Sequence, residues 1–226
     1  MFSFLKKKYK IEELEFKVPR HEVITRSRIL VIDDEKPDLI DDLKGGGFSV
    51  DYEPDITKAN MAVFERMIYD LIILDFADVG REFGEDQGLS LLQHIKRVSP
   101  STVVYAYTSK LLGAEHHEFY TRTDGVLRKD AGIGETTEKV EQGLEKARSL
   151  PNVWKGMLHV AQIAPGSKQD EEWQDLYVRK VKKRRTGDVQ EKFLKIIGNE
   201  PGQRVGTFLV ERLIDLGVKY YLGDAK

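Results

Sequence analysis

The sequence predicts a doubly wound α/β domain on five parallel strands, followed by a small all-helical module. Three observations carry this. Near-continuous apolar runs at Arg28–Asp33 (RILVID), Leu71–Asp75 (LIILD) and Thr102–Tyr107 (TVVYAY) have the pattern of strands buried on both faces of a parallel sheet. Helical patterns alternate with them, as repeated βα units require. Beyond Leu150-Pro151 the strand signal stops and only helical stretches follow.

Phe48–Tyr52 and Gly125–Leu127 are weaker runs that complete a set of five strands. Helices are expected over Pro37–Lys44, Thr57–Tyr69, Leu89–Val98, Ala114–Thr121 and Thr136–Ser149, and in the third Leu91, Leu92 and Ile95 fall on one face. The first is short because Gly45-Gly46-Gly47 terminates it. Those glycines are no phosphate loop, since no Gly-Lys-Ser/Thr ending follows. In the second part, helices are expected near Asn152–Ala164, Gln169–Arg185, Asp188–Ile197 and Arg204–Leu222, with Leu209, Leu213 and Leu216 on one packing face. The expected division is an N-terminal extension over 1–27, the α/β domain over 28–149 and a helical module over 150–226. Lys6, Lys7, Lys8 and Lys10 beside Phe2, Phe4 and Leu5 suit a loosely packed extension better than a membrane-surface contact.

A chain of 226 residues with 40% hydrophobic and 33% charged residues can fill one core and a second, smaller one. The net charge of −2 conceals an asymmetry: residues 1–150 carry −6 and residues 151–226 carry +4, which favours two modules with different tasks. No apolar run approaches the roughly 20 residues that span a bilayer, and the opening five residues are too short for a signal-peptide core. With no cysteine, disulfides, thiolate metal sites and cysteine nucleophiles are excluded, and a cytoplasmic location is expected.

In such a sheet, ligands bind outside the carboxyl ends of the strands. The first strand ends in Asp33-Asp34, the third in Asp75 and the fourth in Thr108-Ser109, and Lys129 follows the fifth. Clustered carboxylates repel unless a cation joins them, and hard oxygen donors suit magnesium, for which Asp33 and Asp34 are candidates. A carboxylate can also attack phosphorus to give an aspartyl phosphate. Asp75, ending the most apolar strand, is the candidate nucleophile. The charge of a transferring phosphoryl group then needs neutralising, which magnesium, Lys129 and the Thr108 hydroxyl can supply.

These residues resemble the receiver domain of bacterial response regulators. The matching segments are ILVIDDEKPD (29–38), YDLIILDFADVG (69–80), GLSLLQHIKR (88–97), VVYAYTS (103–109) and DGVLRKD (124–130). The resemblance covers a little over half of the chain and implies a flavodoxin-like receiver fold. It also implies that Asp75 accepts a phosphoryl group from a partner phosphohistidine, on a sensor histidine kinase or a phosphotransfer protein. Asp33, Asp34, Asp75 and the Ala77 carbonyl would hold magnesium, Lys129 would bind the phosphoryl group and Thr108 would move towards it. The protein would be a signalling switch rather than an enzyme with its own substrate. The chain departs from the family in four places: the loop 78–87 is long, Val126 stands where a switching aromatic is usual, Asp130 stands where proline usually follows the lysine, and the first helix is about one turn short.

Each residue has a plainer reading as well. Asp33-Asp34 can be a helix cap, Asp75 a turn residue, Thr108 and Ser109 strand-end caps, and Lys129 half of a solvated Arg128-Lys129 pair. The joint order argues against these. His116-His117 are adjacent, so a regular helix cannot aim both at one metal, and His159 reads as structural. The basic run Arg179, Lys180, Lys182, Lys183, Arg184 and Arg185 suits nucleic-acid phosphates, yet a solvated helix end favoured by the dipole explains it better. Protein partners, including a second copy of the chain, are the favoured role of the C-terminal helices.

Overall fold

The computed structural model describes residues 8–14, 16–62, 69–109, 117–197 and 200–221. By contact the chain divides into Val18–Ser149 and a second unit, Met1–Lys17 with Leu150–Lys226.

The first unit holds strands β1 (Arg28–Ile32), β2 (Ser49–Glu53), β3 (Leu71–Leu74), β4 (Val103–Thr108) and β5 (Gly125–Arg128). They form one parallel sheet in the order β2-β1-β3-β4-β5, the doubly wound flavodoxin-like order. The apolar runs explain which strands lie centrally. Every residue of β3 and nearly every residue of β1 and β4 is buried, because helices cover both faces. Those helices are α1 (Arg20–Arg26), α2 (Leu39–Gly45), α3 (Gly88–Val98), α4 (His117–Arg122) and α5 (Ile133–Ala147). On α3 the stripe Leu91, Leu92 and Ile95 is wholly buried against Leu30, Ile72, Leu74 and Val104. Burying side chains of this size is worth roughly 1.5–3 kcal/mol each relative to exposure.

Residues 63–68 of the helix expected over Thr57–Tyr69 lie outside the described residues, as does the start of the one expected over Ala114–Thr121. The short first helix is as expected: it ends at Gly45, and Gly47, at φ +88°, turns the chain into β2. Its N-cap position is Asp38, so Asp33 and Asp34 stand well before it.

The described residues of the extension expected over 1–27 are packed on the two units. Its later part forms α1, whose Val23 and Ile24 are buried and whose Arg20 pairs with Glu141 on α5. The side chain of Arg148 closes this junction by donating from Nε to Ser27 Oγ at 2.7 Å. Its earlier part belongs to the second unit. The Tyr9 and Ile11 amides donate to Asp175 Oδ1 (2.9 Å) and Gln174 Oε1 (3.2 Å), and Ile11 and Leu14 are buried. The lysines suggest a loosely packed extension, but Ile11 and Leu14 supply packing.

The second unit contains α6 (Leu150–Val160), α7 (Lys168–Lys182), α8 (Gly187–Ile197) and α9 (Glu200–Asp215), ending in a π-helical turn, Leu216–Tyr221. The expected last helix thus starts earlier and changes its winding at Leu216. Trp173 stacks on Phe193 with centroids 4.7 Å apart, and Trp154 meets Phe193 and Tyr177 at 5.9 and 5.6 Å. The buried Asp170 carboxylate accepts from Trp154 Nε1 (2.9 Å) and the Gly166 amide (2.8 Å), so this buried acid is satisfied, as burial demands. Among the described residues no helix is long and apolar enough to cross a membrane.

Candidate functional site

Register brings the acids together. Ile32 pairs with Leu74 across β1 and β3, and the Asp75 amide donates to Ile32 O at 2.9 Å, so Asp33 and Asp75 leave adjacent strand ends side by side. Thr108 pairs with Arg128 across β4 and β5, and the Lys129 amide donates to Thr108 O at 2.8 Å. Arg128 is held outward by Asp130, through bonds of 2.8 and 2.6 Å, while Lys129 turns inward. The peptide before Asp130 is trans, as are all those described.

Asp33, Asp34 and Asp75 each offer a carboxylate oxygen within 4.8 Å of the other two. Asp33 is fully buried, Asp75 half-buried and Asp34 exposed. Lys129 Nζ lies 2.6 Å from Asp33 Oδ2 and 3.5 Å from Asp75 Oδ1, above the ring of Tyr107 at 5.1 Å from its centroid. Asp33 Oδ1 accepts from the Glu35 amide at 3.1 Å. Oδ2, though buried, has an ionic neighbour but no hydrogen bond among the described residues. Nζ lies off the direction a hydrogen bond to Oδ2 needs, and the contact is ionic.

The electrostatics follow from burial and proximity. Burial pushes the Asp75 carboxyl above its ordinary pKa, Lys129 opposes the shift and Asp33 reinforces it. Burial alone would weaken the Lys129 ammonium, but its pairing with Asp33 and the charge of Asp75 hold it above the ordinary lysine value. One ammonium thus serves two close carboxylates. Three carboxylates this close that share one ammonium fit a hard divalent cation, which accepts oxygen donors and offsets their repulsion.

The long loop after Asp75 is pinned at several points. The Asp78 amide donates to Gln87 Oε1 (3.0 Å), the Gly80 amide to Asp55 Oδ1 (2.6 Å) and the Gly88 amide to Phe76 O (3.1 Å). Asp78, Gly80 and Gln87 have positive φ, at 60°, 71° and 46°. Non-glycine residues seldom take that conformation, and here the surrounding bonds impose it. The expected cation ligand Ala77 is exposed in the bend directly after the nucleophile candidate. At Gly88 a Cβ would stand 2.8 Å from Asp75 O, Phe76 Cα and Phe76 O. Gly88→Ala is therefore expected to cost about 2 kcal/mol, as overpacking does. Urea unfolding would measure this, and an unchanged midpoint would show that the 75–76 backbone yields freely.

Sequence reasoning missed Tyr107 beneath Lys129 and Asp55 under the loop, and also Tyr120, whose hydroxyl donates to Thr108 Oγ1 at 3.1 Å. Tyr107, alternating along a strand, was open to inference. Asp55 and Tyr120 act across tertiary contacts that no local spacing announces. The second unit's basic run presents no continuous free face. Arg179 Nε bonds both oxygens of Asp175 (2.9 and 2.8 Å), and Lys182 Nζ lies 3.2 Å from Glu13. Both cations stand over the Tyr9 ring, at 5.2 and 4.4 Å. Lys180 is half-buried, while Lys183, Arg184 and Arg185 are exposed at the helix end. His116 lies outside the described residues, and His117 and His159 are exposed.

A parallel sheet in this order, with an acidic pocket and one lysine at its carboxyl edge, has the receiver type of doubly wound architecture. Solved structures similar to the chain include response regulators and receiver domains. HP1043, an orphan response regulator of H. pylori, is 18% identical over 54% of this chain and 98% of that one, with a TM-score of 0.43. A CheY-like receiver domain protein from Methanospirillum hungatei JF-1 is 18% identical over 54% and 95%, TM-score 0.45. The receiver domain of NtrX from Brucella abortus is 24% identical over 52% and 98%, TM-score 0.42. No family model and no curated protein matches the chain.

Proposed function

We propose that residues 18–149 are a phosphoacceptor receiver of a two-component phosphorelay, with Asp75 taking the phosphoryl group from a histidine of a sensor kinase or phosphotransfer protein. The observation that carries this reading is Lys129 Nζ in contact with both Asp33 and Asp75 in one acidic pocket. Such a pocket is poorly balanced alone and well balanced once a cation and a phosphoryl group enter. An Asp75 oxygen attacks phosphorus, the phosphorus–nitrogen bond of the phosphohistidine breaks, and the imidazole leaves with that electron pair and takes up a proton. An acyl phosphate remains on Asp75.

Asp33, Asp34, Asp75 and the Ala77 carbonyl would hold magnesium, which when bound neutralises charge on the phosphoryl oxygens. Lys129 balances the remaining charge and orients one oxygen through a charge-assisted hydrogen bond. Thr108, at the neighbouring strand end, offers its hydroxyl to another. The added charge, about −1.5 to −2 by analogy with other phosphorylated side chains, biases an equilibrium between two arrangements of the receiver surface. The output is a change in protein contacts of the helical module, including contacts with a second copy of the chain. Nucleic acid is the lesser reading, because Arg179 and Lys182 are already engaged by Asp175, Glu13 and Tyr9.

Incubation with a small phosphodonor and magnesium tests this by intact mass. Wild type is expected to gain one phosphoryl group and Asp75→Asn none. Equal labelling of the two would remove Asp75 from the role.

A further inference from the structure

Between Asp75 and Thr108 runs a second connection that bypasses Lys129. Phe76, the residue after Asp75, meets Phe119 edge-on at 5.1 Å. Phe119 meets Tyr120 at 5.5 Å, and the Tyr120 hydroxyl donates to Thr108 Oγ1. Phe119 and Tyr120 are both buried, at 1% and 9% exposure, in the same core cluster as β3 and β4. Both come from α4. One helix thus packs against the bend that follows the nucleophile and bonds the hydroxyl at the neighbouring strand end.

We propose that Tyr120 is a positioning residue that restrains the Thr108 hydroxyl in the unphosphorylated chain, so that Thr108 must leave Tyr120 to meet a phosphoryl group on Asp75. This deepens the phosphoacceptor reading and rests on it. A phenol bonded to a threonine fixes that side chain in one rotamer, because Oγ1 has to face the donor. A tyrosine so deeply buried keeps its ring in place, and its hydroxyl needs a partner. When Thr108 turns, Tyr120 loses its acceptor and has to reorient or draw in water, and Phe119 transmits the change along α4. Val126 packs half-buried against the same core and has no polar atom with which to do this. The coupling that β5 cannot supply comes from α4.

Two measurements on the full chain test this, and they fail separately from the phosphoacceptor reading. In the unphosphorylated protein, three-bond couplings of Thr108 report its χ1 rotamer. Wild type is expected to show one rotamer, and Tyr120→Phe, which keeps the ring, is expected to show averaging between rotamers. Unchanged couplings in Tyr120→Phe overturn the proposal, whether or not the protein accepts phosphate.

The second measurement is the steady-state fraction of labelled Asp75 at limiting phosphodonor with magnesium. Loss of one hydrogen bond that opposes switching is expected to raise the ratio of labelled to unlabelled chain about fivefold in Tyr120→Phe. In a Thr108→Ala background the same substitution is expected to change nothing, since its target is gone. A merely structural tyrosine would act equally in both backgrounds, and that result overturns the proposal. Wild type that takes no label overturns the phosphoacceptor reading instead, and the couplings alone then decide whether Tyr120 positions Thr108.

Discussion

Lys129→Ala is expected to lower the rate of phosphoryl acceptance about a hundredfold, the scale seen when one charge-stabilising donor is removed from a transition state. It is also expected to destabilise residues 18–149 in metal-free buffer by about 2–3 kcal/mol, somewhat less than a fully buried pair would lose, because Lys129 is 30% exposed. The cause is direct. The substitution leaves the fully buried Asp33 carboxylate without its ammonium, 2.6 Å away, and two close carboxylates with nothing between them. Magnesium is expected to restore part of the lost stability, since a divalent cation can take over the neutralisation. Thermal unfolding of wild type and variant, with and without magnesium, would measure both. Equal destabilisation in the two buffers would mean that the acids do not share a cation.

The second large effect lies away from the site. Asp124 sits beneath the sheet edge, where its carboxylate pairs with Lys96 and with Lys146 (2.8 Å) and accepts from the Val104 amide (2.9 Å). Asp124→Ala removes an acceptor shared by three donors, one of them a backbone amide in β4, and is expected to cost about 2–3 kcal/mol. Burial disfavours the Asp124 charge, but Lys96, Lys146 and the Val104 amide outweigh it and hold its pKa below the ordinary aspartate value. The sign follows. A carboxylate with a lowered folded-state pKa contributes fully above its unfolded pKa of about 3.9 and loses that contribution as pH falls through the folded value. The wild-type advantage over Asp124→Ala should therefore be constant near neutrality and shrink below about pH 4. Urea midpoints across that range would reveal it, and an advantage that grew on acidification would contradict the assignment.

The parts of the fold visible in the sequence are those written in local pattern. β1, β3 and β4 are apolar throughout because helices cover both faces of the sheet, and that double burial left a signature no solvated strand has. The α3 stripe was visible for the same reason. The candidate site was visible one step further on, because parallel topology sends every strand end to one edge, so Asp33, Asp75, Thr108 and Lys129 could be placed together by chain order.

What was hidden depends on contacts between distant residues. The extension, with its lysines from Lys6 to Lys10, reads as loosely packed, whereas Tyr9 and Ile11 bond their amides to side chains on α7, some 160 residues away. The loop 76–87 looked merely long, and its shape comes from Asp55 and Gln87. Tyr120 carries no motif, and only the packing of α4 reveals its hydroxyl on Thr108. In the basic run the charges were plain, but their partners Asp175 and Glu13 were not.

The most direct measurement identifies the residue that carries the acyl phosphate. Borohydride reduces an aspartyl phosphate to homoserine, so protein treated with phosphodonor and magnesium, reduced and digested with trypsin, should yield the peptide 67–81 with homoserine in place of Asp75. Asp70 in the same peptide should stay intact. Homoserine at another aspartate, or at none while the intact protein carries the label, would contradict a pocket organised around Asp75.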